Sequence, residues 1–406
     1  MYAVAGKLRQ ITRTENVAAL LPMDLSGFFQ ALPTQSFTSA SQADPKLGHQ
    51  VVMHASEFPD WHQADIIFFS ASVLDHDRLP VALRKELYSL SALAPGLNMA
   101  DLGHMTPRDR SDDVLEQLRF LLNLFQEAGK ICVMILDRPF LSLAQSYALE
   151  GRIKDAEVVH IDSQCNVRDS DLRLDDQSYH HALLREPPAF LFEFTQLGHQ
   201  RYFVSETQLA WFQHRNFALH RYGELMGHID LAEPYLRTAH VVSTDMSAVR
   251  ASDAPAACVP SPGGFSTEEF CRMARYAGLG HRIQSFSLSG IDPEWDPRGI
   301  TSRLAAMGIW YFLEGHLNSF DDLPMEDRRN MTRYSVQLHA SIPRIDFFRH
   351  ARSNRWWMEV PYQDQLGVSE PKTRLISCSE QDYETAKNDE IPDRWWLTYH
   401  KLPQPE

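Results

Sequence analysis

Short apolar runs recur along the chain, each followed by a stretch in which charged and apolar residues alternate at helical spacing. Residues 65–70, 131–136, 158–161, 187–194, 241–245 and 283–288 read as strands. Residues 80–91, 113–128, 141–150, 178–184, 205–216, 267–278 and 299–317 read as helices, with Gly151 ending the third of them. Strands alternating with helices need crossover connections. The pattern therefore predicts an α/β fold: three layers, α/β/α, around a mostly parallel sheet.

The ends of the chain differ from this middle. Residues 23–30 fit a short helix and 34–48 a loop, with no chemical motif before about residue 60. After about residue 320 the alternation stops. Two Arg-Trp-Trp elements follow, Arg355-Trp356-Trp357 and Arg394-Trp395-Trp396. Tandem aromatics beside arginine suit a buried seam or a protein interface, and both readings stay open here. The expected division is an N-terminal addition over 1–60, an α/β domain over 61–320 and a C-terminal extension over 321–406.

Composition narrows the function classes. With 406 residues the chain buries a large core, and its formal charge of −14 argues against nucleic acid or an anionic membrane as the main partner. Five scattered cysteines without a C-x-x-C pair indicate neither a disulfide framework nor a structural zinc site. No charged-then-apolar leader opens the sequence, and no apolar run is long enough to span a bilayer. A cytoplasmic protein without membrane insertion is expected.

The candidate chemistry sits where two strands end. Val158 to Ile161 is apolar, and Asp162, Gln164 and Asn166 follow at alternate positions as the chain leaves the core. A second strand end carries Ser243, Asp245 and Ser247. Beyond it come the turn Ser261-Pro262-Gly263-Gly264-Phe265-Ser266 and the segment Asp296-Pro297-Arg298-Gly299-Ile300-Thr301-Ser302. Ligands in open α/β sheets bind at the carboxyl ends of strands, so these positions are favourably placed.

In this order the pieces resemble the arginase/ureohydrolase family, over roughly residues 60–320. Its strand ends carry D-x-H-x-D, then S-x-D-x-D, followed by a P-G-G turn. The Arg-Trp-Trp tail and the segment from Cys378 to Tyr383 look most like the long formimidoylglutamase-like members found in Bacteroidetes. The resemblance implies an arginase-like fold and two manganese ions held by His, Asp, His, Asp, Asp and Asp in chain order. Matched position by position, this chain offers Phe140, Asp162, Gln164, Asn166, Asp245 and Ser247. Two carboxylates remain of four, and neither imidazole. Gly290 falls where the family places a substrate-binding Glu.

Two close divalent ions need dense negative charge and donors suited to manganese, and both are depleted here. The expectation is a catalytically degenerate member, with no catalytic residue and no cofactor, acting as a scaffold, regulatory or ligand-sensing protein. It would engage a protein partner or copies of itself. The alternative is a formimidoylglutamase- or arginase-type hydrolase of linear amidines with a reduced metal site. There, Asp162 and Asp245 would hold manganese, or one magnesium or calcium ion with the neighbouring oxygen donors. Arg138 is a further candidate to neutralise Asp162 and Asp245 in place of metals. His180, His181, His199, His214, His220, His228 and His240 lack the spacing of a metal motif, with His214 and His220 expected on a helix surface. Cys165 is expected to be a buried structural thiol rather than a nucleophile.

Overall fold

The computed structural model describes residues 24–33, 44–73, 78–105, 111–167, 175–184, 188–319, 328–339, 344–363 and 372–403. Ten strands form one large sheet: β1 (Phe29–Gln30), β2 (Val51–Met53), β3 (Ile66–Ala71), β4 (Met99–Met105), β5 (Ile131–Leu136), β6 (Ala156–Ile161), β7 (Leu191–His199), β8 (Ala218–Arg221), β9 (Val241–Asp245) and β10 (Ser285–Ser289). Their order is β1-β4-β3-β5-β10-β9-β6-β7-β8, with β2 paired to β4. Every pairing is parallel except β1 with β4.

The strand alternation explains the layers. On β3, Ile66 and Phe68 enter one core while Ile67 and Phe69 enter the other; on β5, Val133 and Ile135 part from Cys132 and Met134 in the same way. One core is closed by the helices Arg78–Ser89, Thr267–Gly278 and Ile300–Leu317, the other by Ser111–Glu127 and Leu143–Tyr147. A strand buried on both faces shows no polar alternation, which is why these segments read as continuous apolar runs. Thr267–Gly278 starts with a capping box between Ser266 and Glu269, the second half of the Pro-Gly-Gly-Phe-Ser turn.

Several expectations need correction. Of the helix expected over 23–30, Met23 lies outside the described residues and 24–30 form none: Ser26–Phe28 is one 3-10 turn, and β1 follows it to the sheet edge. Of the loop expected over 34–48, residues 34–43 lie outside the described residues, and Leu47–His49 is a 3-10 turn. The helix expected over 141–150 is a 3-10 turn, Pro139–Ser142, and a short helix, Leu143–Tyr147. The strand expected over 187–194 runs later, as β7. His220 lies in β8 rather than on a helix. β4 carries no strand-like apolar pattern, yet it is buried throughout, because Arg84 and Tyr88 satisfy its Asp101.

The last part of the chain is an antiparallel sheet, β11 (Met331–Val336), β12 (Ile345–His350), β13 (Trp356–Tyr362) and β14 (Lys372–Cys378), followed by two helices, Glu380–Lys387 and Asp393–Lys401. It has its own small core around Phe347, Met358 and Trp395. Among the described residues no helix is long and apolar enough to cross a membrane.

Candidate functional site

Four adjacent strands, β5, β10, β9 and β6, bring the candidate residues to one end of the sheet. Phe140 follows β5, Gly290 follows β10, Asp245 closes β9, and Asp162 leaves β6 with Gln164 and Asn166 behind it. The sequence positions named above therefore do converge. What they form is a buried hydrogen-bonded cluster.

Asp162 is its centre and is only 3% exposed. Its Oδ1 accepts from the Gln164 backbone N–H at 3.0 Å and from the Ser247 hydroxyl at 2.8 Å. Its Oδ2 accepts from the Asn166 side-chain amide and faces His160 Nε2 at 3.2 Å. Ser163 donates to Ser247 Oγ at 3.1 Å, extending the chain of hydroxyls. Asn166 reaches this geometry from a left-handed backbone, φ 49°, a conformation that Asn tolerates well. Two of the four replaced ligand positions, Asn166 and Ser247, have thus become hydrogen-bond donors to a retained one.

His160 was not singled out by its sequence context, although its spacing of two from Asp162 was the available signal. Its Nδ1 lies 2.7 Å from Ser243 Oγ, and its Nε2 lies 2.9 Å from the Tyr179 hydroxyl. Burial holds its pKa down to about 3, so the 3.2 Å contact with Asp162 joins a neutral imidazole to the carboxylate and is not an ion pair. Ser243 then donates to Nδ1, and the Nε2–H serves Asp162 and Tyr179. Tyr179 opens the helix Tyr179–Leu184 and Asp176 lies in the turn before it, and their sequence context does not mark them as partners of the cluster.

Asp245 is 5% exposed. Its Oδ1 accepts the Ser247 backbone N–H at 2.8 Å, capping the 3-10 turn Met246–Ala248, and its Oδ2 lies 3.4 Å from Ser289 Oγ. Burial pushes the carboxyls of Asp162 and Asp245 up, and the charge of Asp162 pushes Asp245 further. Gly290 has φ +76°, and a Cβ there would lie 2.3 Å from Asp245 Oδ1. The Asp245 carboxylate fills the room a side chain at position 290 would need.

Arg138 does not neutralise this pair. Its side chain is 46% exposed, and its ion pair is with Asp176 at 3.3 Å. Asp176 also accepts the Phe140 backbone N–H at 3.3 Å, and the Phe140 ring is buried in the apolar core. Cys165 is buried, and burial and the Asp162 charge push its thiol up, as befits a structural residue. His180 donates to the Cys165 carbonyl from Nδ1, 3.1 Å away, and packs edge-on to His160 with ring centres 4.3 Å apart. Among the described residues no three His, Cys, Asp or Glu side chains gather as a metal site.

The donor chemistry does not fit two manganese ions. Asp162 spends both oxygens on internal donors, Asn166 and Ser247 direct their donors at that carboxylate, and Phe140 supplies no ligand.

The six Arg-Trp-Trp residues lie elsewhere. Arg355, Trp357 and Arg394 face the seam between the C-terminal sheet and the rest of the chain, while Trp356 and Trp395 belong to the small core of that sheet. Arg355 pairs with Glu233 at 3.3 Å, Arg394 stacks on Tyr235, and the Trp395 indole donates to the Glu359 carbonyl at 2.9 Å. Trp396 alone of the six is exposed, at 46%.

Residues 76–314 match the model of the arginase family, more than half of the chain, and the protein belongs to that family. Among solved structures it is similar to formimidoylglutamase from Bacillus subtilis, with a TM-score of 0.62 at 18% identity, covering 71% of this chain and 97% of that one. It is also similar to Trypanosoma cruzi formiminoglutamase with Mn2+, with a TM-score of 0.61 at 18% identity, covering 68% of this chain and all of that one (100%). The agmatine ureohydrolase of Thermoplasma volcanium gives a TM-score of 0.53 at 18% identity, over 69% and 96% of the two chains. At such identity the likeness concerns the fold. No curated protein matches the chain.

Proposed function

We propose that this protein is a degenerate member of the arginase family that no longer hydrolyses linear amidines and serves instead as a scaffold, regulatory or ligand-sensing protein. The observation that carries this reading is the pair of hydrogen bonds from Asn166 and Ser247 to Asp162. A ligand sphere that has lost its metals would leave carboxylates repelling one another across a buried space. Here the replacements are donors that satisfy the carboxylate left behind. The hydrolysis that the family resemblance implies uses a hydroxide activated by metal, and His160, held neutral and hydrogen-bonded on both nitrogens, is not free to replace it as a general base.

The test is elemental analysis of protein produced with added manganese and then dialysed, together with assays on N-formimidoyl-glutamate, agmatine and arginine. We expect no stoichiometric manganese and no turnover above background. Two manganese ions per chain, or turnover abolished by both Asp162→Ala and Asp245→Ala, would establish the hydrolase reading instead.

A further inference from the structure

The opposite end of the same strands carries a second concave site. Lys130, Gln284 and His240 are the residues immediately before β5, β10 and β9, three neighbours in the sheet. Backbone bonds hold them side by side: Cys132 N–H donates to the Gln284 carbonyl at 3.0 Å, and Gln284 N–H to the His240 carbonyl at 2.8 Å. With Gln126, His281 and Arg282 they line a cavity of about 320 Å³. That is the size of a small metabolite site.

Its walls present donors. Arg152 donates to the side-chain oxygens of both Gln126 and Gln284, the latter at 2.8 Å. A guanidinium has no acceptor, so both amides must turn their oxygens to Arg152 and keep their NH2 groups free for other partners. Gln126 is 7% exposed, and its Nε2 has no partner among the described residues. An amide donor buried without a partner is costly unless something occupies the space before it. His240 Nδ1 accepts the Glu157 N–H at 3.1 Å, which leaves the ring's proton on Nε2 as another donor. Lys130 uses one of its three N–H bonds on the His62 carbonyl, at 2.6 Å. Arg282 is 38% exposed and is only loosely tied to Glu157, at 3.7 Å. Glu157 is also held by the Thr238 hydroxyl, so it offsets the local positive charge only in part.

We infer that this cavity is a binding site for a small oxyanion, a carboxylate or phosphate group whose acceptor oxygens meet the Gln126 amide and the Lys130 and Arg282 cations. This site shares no residue with the Asp162 cluster and stands whether or not that cluster retains catalysis. It gives the fold a ligand site at the amino ends of β5, β9 and β10, whose carboxyl ends carry the altered positions.

The experiment is titration calorimetry on the full chain with two probes, inorganic phosphate and succinate, each at ionic strength fixed with sodium chloride. One saturable site per chain is expected for at least one probe. Phosphate alone would assign the site to phosphate esters, and succinate alone to carboxylates. Lys130→Ala and Arg282→Ala, both at the cavity wall, should each weaken binding about tenfold, consistent with loss of one charge-assisted contact. Arg303→Ala removes an equal charge from the helix Ile300–Leu317 and should leave binding unchanged. Circular dichroism verifies that each variant is folded. Absence of saturable binding of either probe, or equal weakening by Arg303→Ala, would overturn the inference.

Discussion

The side-chain amide of Asn166 donates a hydrogen bond to the carboxylate of Asp162, four residues earlier in the chain. In the arginase-family pattern that this segment resembles, both positions are aspartates facing a metal. The pairing of amide with carboxylate offsets part of the cost of burying Asp162. Asn166→Asp should therefore place two carboxylates in contact and lower stability by roughly 3–5 kcal/mol, as for an uncompensated buried charge. The loss should be larger at pH 8 than at pH 5, where the new acid takes a proton. Urea denaturation at the two pH values measures it, and a variant as stable as its parent at pH 8 would contradict the account.

Ser247 supports the same carboxylate from the neighbouring strand end, donating to Asp162 Oδ1 while accepting from Ser163. Ser247→Ala removes both bonds in a site that water does not reach. We expect a destabilisation of about 1–3 kcal/mol, the usual penalty for buried partners left unsatisfied. The backbone N–H of Ser247 that caps Asp245 remains, so the 3-10 turn should persist. A neutral substitution would mean that this network does not support Asp162.

The central strands and their order of helices were legible because apolar runs such as those of β3 and β5 separate cleanly from amphipathic stretches. β4 was not, since Asp101, Gly103 and His104 interrupt it, and the partner that makes Asp101 tolerable, Arg84, lies in a different element. The altered ligand positions were readable one by one. Their mutual bonds were not, because Ser247 and Asp162 are 85 residues apart and meet only when β6 pairs with β9. Tyr179 falls in a segment that read as a helix, but nothing in that pattern showed that its hydroxyl reaches His160. The Arg-Trp-Trp elements were read as seam or interface, and four of the six side chains are buried, at the seam or in the small core of the C-terminal sheet.

Gly290 and Asp245 share one volume. With φ +76° and a hypothetical Cβ 2.3 Å from the carboxylate, Gly290→Ala combines a left-handed backbone with a direct overlap. We expect a loss of roughly 2–5 kcal/mol from the two effects together. Asp245→Ala in the same chain should relieve the overlap, so the double variant should be less destabilised than the sum of the singles. Simple additivity in a double-mutant cycle would show that the two positions do not compete for space.

Stability should rise with pH through the mildly acidic range. Burial lowers the pKa of His160 to about 3 and of His199 and His240 to about 4, and holds His180 well down. In the unfolded chain each titrates near 6.5, so between about pH 4 and 6.5 the unfolded state binds more protons. Asp162 and Asp245 act in the opposite sense, because their raised values keep protons on the folded chain. Four histidines against two carboxyls leave a net gain as pH increases. Urea midpoints at pH 4.5 and 6.5 report it, and an equal or lower midpoint at 6.5 would refute this balance.

Arg237 holds the C-terminal sheet to the α/β domain. It projects from the helix Glu233–Thr238, is 1% exposed, and pairs with Glu233 at 2.7 Å. Its Nη2 donates to the carbonyls of Trp356 and, at 3.4 Å, Cys378, which begin and end the facing strands β13 and β14. The guanidinium also lies 4.6 Å from the centre of the Trp357 ring. Arg237→Ala leaves Glu233 and two buried carbonyls without this donor, a loss of about 3–5 kcal/mol by analogy with broken buried pairs. Arg237→Lys keeps the charge but not the planar fork that spans both strands, and should recover less than half of it. Because the loss falls on the seam, the C-terminal sheet should become the first part cut by protease, with the α/β domain resisting longer. Uniform cleavage of both parts, or a lysine variant equal to the parent, would show that Arg237 contributes charge alone and that the seam is held elsewhere.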